Sequence, residues 1–248
     1  MTVFKQKKST PKSTPKSKTQ VYNVVILDCS GSMCTIRQAA LSGFNETLQT
    51  IRSAQKKYAD SQDHFVTLVS FNSDGVRTFY DMVPVREAKE MKLRDYEPNG
   101  GTPLYDAMGH TILHTSHKVD ALDDATVFVT VITDGMENCS VEFDGRTIRR
   151  LVEKERARGW SFTYMGANQN AEEVAMNLSI RNARNFDYND AGTRESMERD
   201  SSTRMNFFSR LYRLKKMEEE QGVCMESESR RRCYANLADE AFDEEEGK

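Results

Sequence analysis

Val21-Tyr22-Asn23-Val24-Val25-Ile26-Leu27-Asp28-Cys29-Ser30-Gly31-Ser32 is the stretch from which the rest of the chain can be read. Its apolar half predicts a buried strand over Val21–Leu27. That strand runs straight into a carboxylate and then two hydroxyls at alternate positions, with Gly31 permitting a tight turn between them. Small oxygen donors arranged this way on a loop suit a hard divalent cation such as Mg2+. Two later segments carry matching chemistry. Gly100-Gly101-Thr102-Pro103 presents a hydroxyl on a glycine-rich loop. Val127-Phe128-Val129-Thr130-Val131-Ile132-Thr133-Asp134-Gly135 is a second apolar run that ends in a carboxylate.

Working outward, apolar residues Ile36, Ala40, Phe44, Leu48 and Ile51 recur at helical spacing, which predicts a helix from Thr35 to about Lys57 with Thr35 capping its first turn. Strands are expected at His64–Phe71 and Val76–Val83. The turn signal Asn72-Ser73-Asp74-Gly75 joins them as an antiparallel hairpin. A short helix is expected near Arg86–Leu93, then a helix over Leu104–His117 with Leu104, Met108, Ile112 and Leu113 on one side. Ala125–Thr133 reads as a central strand buried on both faces. A helix near Gly145–Arg158, a strand at Trp160–Met165, a short helix at Ala171–Leu178 and an edge strand at Ala183–Asp187 follow.

This alternation predicts an α/β fold: a Rossmann-like three-layer sandwich with a mostly parallel sheet and one antiparallel edge strand. Residues 190–217 read as a helical extension whose buried set is Met197, Met205, Phe208, Leu211 and Leu214. The organisation expected is a basic tail without order over 1–20, a domain over 21–217, and an acidic tail without order over 218–248. In open α/β sheets the ligand crevice lies beyond the carboxyl ends of the strands, where strand order reverses. If the strands ending at Asp28 and Asp134 are neighbours there, both carboxylates face one crevice, and a long loop must deliver Thr102.

With those residues in place, the chain resembles von Willebrand factor A-type (vWA) domains with a metal-ion-dependent adhesion site. Asp28, Ser30, Ser32, Thr102 and Asp134 match that motif in order, and the likeness covers roughly residues 20–187, extending to about 215. It implies that Ser30, Ser32 and Thr102 bind Mg2+ directly, with Mn2+ or Ca2+ also accommodated. Asp28 and Asp134 would act largely through bound waters, and one coordination place would be left for an Asp or Glu of a protein partner. Ser42-Gly43-Phe44-Asn45, Thr133-Asp134-Gly135-Met136-Glu137-Asn138 and Met165-Gly166-Ala167-Asn168-Gln169 resemble compact bacterial and phage vWA proteins rather than integrins. Glu137, Asn138, Asn168 and Gln169 either form a polar rim that a partner touches or cap helices and loops.

Charge and cysteine usage bound the remaining readings. The 248 residues carry a formal net charge of −3, so nothing global points to nucleic acid. The lysine-rich stretch before Val21 supports at most a weak polyanion tether. Cys29, Cys34, Cys139, Cys224 and Cys233 show no CxxC spacing, which suits a reduced, cytoplasmic protein. Cys29, Cys34 and Cys139 fall in the motif loops, either as small packing residues or as redox groups. No apolar run approaches the ~20 residues of a membrane span, and no secretory leader is visible. His110, His114 and His117 share a helical spacing but lack the carboxylate of a HExxH set, so a solvated helix face is expected. The function expected is a non-enzymatic, Mg2+-dependent protein-binding module. The alternative is a metal-dependent phosphohydrolase or phosphotransferase, against which stands the lack of a phosphate-binding glycine loop followed by lysine.

Overall fold

A computed structural model describes residues 18–167, 171–186 and 190–246. The strands are β1 (Thr19–Asp28), β2 (Gln62–Asn72), β3 (Gly75–Pro84), β4 (Ala125–Thr133), β5 (Ser161–Ala167) and β6 (Asn182–Phe186). The helices are α1 (Arg37–Lys57), α2 (Leu104–Val119), α3 (Gly145–Arg156), α4 (Ala171–Asn177), α5 (Asp190–Gln221) and α6 (Ser227–Glu246). One six-stranded sheet runs in the order β3-β2-β1-β4-β5-β6. All neighbours are parallel except β2 and β3, so the antiparallel strand lies at the edge, as the hairpin signal requires.

Side chains alternate across the central strands. Val24 and Ile26 of β1 join Val129 and Val131 of β4 in a cluster closed by Leu104, Met108 and Ile112 of α2, Ile148 and Val152 of α3, and Ala171 and Ala175 of α4. Val25 and Leu27 face the other way, against Ala40, Phe44, Leu48 and Ile51 of α1 and Met197 of α5. A third cluster gathers Val21, Phe128, Phe207, Phe208 and Leu211 with residues of α6. Of the residues expected to bury along α5, Met197, Phe208 and Leu211 do so fully, and Met205 and Leu214 pack partly buried. The β1–β4 register pairs Leu27 with Ile132, leaving Asp28 and Thr133 as the next residues of two adjacent strands. The sheet order reverses between β1 and β4, which is where the crevice is expected.

Three expectations are corrected. The helix expected near Arg86–Leu93 does not form; only a 3-10 turn at Leu93–Asp95 appears there. Val85, Ala88, Met91 and Tyr96 still bury, but α1 satisfies the backbone of this segment from outside. Arg37 Nε donates to Tyr96 O at 2.6 Å, Arg52 Nη2 to Ala88 O at 2.5 Å, and Asn45 exchanges bonds of 3.0 and 2.8 Å with the Met91 backbone. Thr35 does not cap α1, because a 3-10 turn over Gly31–Ile36 precedes that helix. The third correction concerns the acidic segment 218–248, in which Ser227–Glu246 is helix α6, with Tyr234, Ala238, Ala241 and Phe242 buried. These four follow a helical period that the surrounding acids mask in the sequence. Several of the acids are paired: Asp239 with Arg181 at 2.7 Å, Glu240 with Arg210 at 2.6 Å, and Glu244 also with Arg210. At the other end, β1 starts at Thr19, inside the segment expected as tail, while residues 1–17 lie outside the described residues.

Candidate metal centre

Asp28 ends β1 with no solvent exposure. Its Oδ1 accepts the Ser30 amide at 2.7 Å, the usual way an aspartate closes a turn on itself. Its Oδ2 accepts the Thr133 hydroxyl at 2.7 Å, which ties the end of β1 to the end of β4. Burial pushes the Asp28 carboxyl up to about 6; the bonds from Thr133 and Ser30 oppose that rise and the Asp134 charge adds to it.

The hydroxyls converge on the same place. Ser30 Oγ and Ser32 Oγ lie 3.1 Å apart, and Ser32 Oγ donates to Asp134 Oδ1 at 2.7 Å. The glycine loop arrives by backbone pairing: Gly31 N donates to Gly100 O at 3.0 Å and Asn99 N to Cys29 O at 2.9 Å. Gly100 has φ 72°, a left-handed conformation that favours glycine. Thr102 is buried, and its amide donates to Asn138 Oδ1 at 2.9 Å.

Gly135 reveals the shape of the space between these groups. A Cβ placed on it would lie 3.1 Å from Thr102 Oγ1, 3.4 Å from Ser32 Oγ and 3.9 Å from Asp28 Oδ2. All five motif side chains therefore meet at one cradle, into which the missing side chain of Gly135 would project. The donor set fits a small hard cation. Oxygens bound at about 2.0–2.1 Å in an octahedron are about 2.8–3.0 Å apart along its edges, and Ser30 Oγ and Ser32 Oγ, 3.1 Å apart, lie close to that spacing. Among the described residues no group of three or more His, Cys, Asp and Glu side chains could hold a metal, so a soft-ligand centre has no counterpart.

Two acids beside the cradle hold its loops in place. Glu137, expected either at a partner-facing rim or as a loop cap, turns inward. Its Oε1 accepts the amides of Cys139 and Ser140 at 2.8 and 2.7 Å, and its Oε2 accepts the Ser140 hydroxyl at 2.6 Å and the Tyr105 amide at 2.9 Å. Asp106 of α2 accepts the amides of Val141, Glu142 and Phe143 at 2.8, 2.9 and 2.8 Å. Those bonds outweigh desolvation and hold its carboxyl below the usual range. Together the pair pins the loop after β4 onto the start of α2. Asn138 is exposed, yet its side-chain oxygen also serves the loop by accepting from Thr102. Asn168 and Gln169 lie outside the described residues.

The thiols and imidazoles take no part in the cluster. Burial pushes the Cys29 thiol up to about 11 and raises that of Cys139, which disfavours thiolate at both. His110 lies 3.3 Å from Glu142, His114 3.0 Å from Asp81, and His64 bonds to Gln62. No helix of the described residues is long and apolar enough to cross a membrane.

No family model matches the chain, and no curated protein matches it in sequence. Solved structures do share its fold. The pilus adhesin SpaC of Lactobacillus rhamnosus GG in its open conformation superposes with a TM-score of 0.57 at 14% identity, over 78% of this chain and 31% of the adhesin. Proximal thread matrix protein 1 from the mussel byssus, whose metal-ion-dependent adhesion motif holds zinc, gives 0.52 at 13% identity, over 74% of this chain and 45% of its own. The SpRpn10 VWA domain gives 0.50 at 8% identity, over 72% of this chain and 94% of that domain. This chain thus spans about a third of the adhesin's length. With its six-stranded sheet and flanking helices, it has the fold of von Willebrand factor A-type domains.

Proposed function

We propose that the chain is a protein-binding module in which Asp28, Ser30, Ser32, Thr102 and Asp134 hold one divalent cation, at which a partner's Asp or Glu is captured. The observation that carries this reading is the meeting of three separate loops around the Gly135 cradle, with oxygen donors only. Mg2+ suits that donor set, and Mn2+ or Ca2+ can replace it. Zinc in the adhesion motif of the mussel protein supports a divalent ion at the equivalent place in this fold.

The chain's own residues divide the work. Ser30, Ser32 and Thr102 offer neutral oxygens. Asp28 and Asp134 each accept a hydroxyl, from Thr133 and Ser32 respectively, and so fix where those hydroxyls point. Neutral donors leave the bound ion's charge incompletely offset, which favours an anionic ligand from outside. Five free cysteines suit a reducing cytoplasm for this module.

The test has two arms. Mg2+ should raise the melting temperature of the wild type, reversed by EDTA, and should not raise that of Ser30→Ala or Thr102→Ala. Metal-dependent turnover of aryl phosphates or nucleotides that disappears in Asp28→Ala would overturn the binding reading in favour of phosphoryl transfer.

A further inference from the structure

Asn99-Gly100 is the one Asn-Gly step in the sequence. Both residues are exposed, on the loop that carries Thr102 to the cradle. A glycine after asparagine leaves the next backbone nitrogen open to the carboxamide, because no side chain shields it. Here that nitrogen is also uncommitted. Among the described residues the Gly100 amide donates no hydrogen bond, whereas the amides on either side of it do: Asn99 N to Cys29 O at 2.9 Å and Gly101 N to Ser73 Oγ at 3.1 Å. The carboxamide is polarised at its oxygen. Asn72 Nδ2 donates to Asn99 Oδ1 at 3.1 Å, where negative charge develops when a nucleophile adds to the carbonyl carbon. The leaving nitrogen, Asn99 Nδ2, donates to Glu97 O at 3.2 Å, a long bond.

We propose that Asn99 is a site of spontaneous deamidation, and that the isoaspartate formed there disables the metal cradle. The Gly100 nitrogen attacks Asn99 Cγ. The N–Cγ bond forms, the Cγ–Nδ2 bond breaks, and the Gly100 amide proton leaves with the nitrogen as ammonia. Water then opens the succinimide ring. Cleavage of its Cγ–N bond gives aspartate at position 99. Cleavage of its backbone C–N bond gives isoaspartate, with the chain now running through Cγ and one carbon longer. That extra carbon displaces Gly100 O, which accepts Gly31 N at 3.0 Å, and the Gly101 amide, which Ser73 holds, and Thr102 moves with them. The aspartate product keeps the backbone path and so keeps the cradle. The modification stands on this loop alone; its effect on the cation rests on the metal-binding reading above.

The full chain is aged in mildly alkaline buffer beside Asn99→Gln, which keeps a carboxamide but cannot close the five-membered ring. Peptide mapping and labelling by protein isoaspartyl methyltransferase should find isoaspartate at position 99 of the wild type. The share of protein melting at the Mg2+-raised temperature should fall as the isoaspartate share rises. It should stay whole in aged Asn99→Gln and in Asn99→Asp, which mimics the other product. Asn72→Asp keeps the acceptor for the Asp74 amide but removes the donor to Asn99, and should deamidate about fivefold more slowly. No isoaspartate at position 99 of the aged wild type, or Asn72→Asp reacting as fast as the wild type or faster, would overturn the site. A full Mg2+ response that survives as isoaspartate accumulates would overturn its effect on the cradle. No Mg2+ response in fresh protein would overturn the metal reading and that effect with it, while the mapping and labelling still decide the modification.

Discussion

Asn138 clasps Thr102 from two sides: its backbone amide donates to Thr102 O at 3.2 Å, and its side-chain Oδ1 accepts the Thr102 amide at 2.9 Å. The threonine hydroxyl is thus positioned by a residue that contributes no oxygen to the cradle. Asn138→Ala removes one of these bonds, worth about 1 kcal/mol, and should weaken Mg2+ binding roughly fivefold. Asn138→Asp keeps the acceptor and should recover most of that loss. Calorimetric titration of the two variants with Mg2+ checks the order.

Gly135→Ala places a methyl group 3.1 Å from Thr102 Oγ1 without a forbidden backbone angle, since Gly135 is not among the glycines of positive φ. At a metal concentration of about 100 Kd the wild type should gain about 2.7 kcal/mol, a rise of roughly 5–10 °C in Tm. The variant should show no such rise while its metal-free Tm stays close to that of the wild type. A full metal-induced rise in the variant would mean that the cation lies elsewhere.

His64 is almost wholly buried against Phe208, with ring centroids 4.6 Å apart, and its Nδ1 finds no hydrogen-bond partner among the described residues. Burial drives its pKa down from 6.5 to about 3. Above pH 6.5 the imidazole is neutral in both the folded and unfolded chain, so it adds no pH dependence. Below that, the unfolded chain takes up the proton and the folded one does not, so stability falls as pH drops from 6.5 towards 3. Between pH 6.5 and 5 this amounts to up to about 2 kcal/mol. Urea midpoints for the wild type should fall over that interval by more than those for His64→Leu.

Arg204 and Asp200 form a wholly buried pair at 2.7 Å on α5. The guanidinium also reaches Thr130 of β4 and Asn23 of β1, and stacks 4.3 Å from the Phe128 ring centre. Asp200→Ala strands this cation in the interior and should cost about 3–5 kcal/mol. The joint change Asp200→Leu/Arg204→Met should cost less than the single one, because no unpaired charge remains. Chemical denaturation of both proteins decides the matter.

What the sequence disclosed followed the range of the interactions. Asp28, Ser30 and Ser32 lie on one short loop, and Thr133-Asp134 ends an apolar run, so their placement was legible from neighbours in the chain. Thr102 was legible through its flanking glycines. The role of Asp106 was not, because it accepts backbone amides of a distant segment, and an acid doing that looks in sequence like an acid facing water; of the two roles open to Glu137, partner rim and loop cap, the bonds to its own loop are those of the second. The helix expected near residue 90 failed for a related reason: side chains of α1 took over the carbonyls and amides that the helix would have paired internally. In α6 the apolar period was present, but the charge density around it outweighed it until Arg210 and Arg181 supplied partners.

Phe242 stacks near Phe128 of the central strand β4, with ring centroids 5.9 Å apart. More than a hundred residues separate these two rings along the chain. During synthesis, β4 leaves the ribosome long before the side chain that shields its outer ring has been made. Until α6 has been made, the Phe128 ring lacks that part of its cover, and uncovered apolar surface of this kind is what makes incomplete chains prone to aggregate.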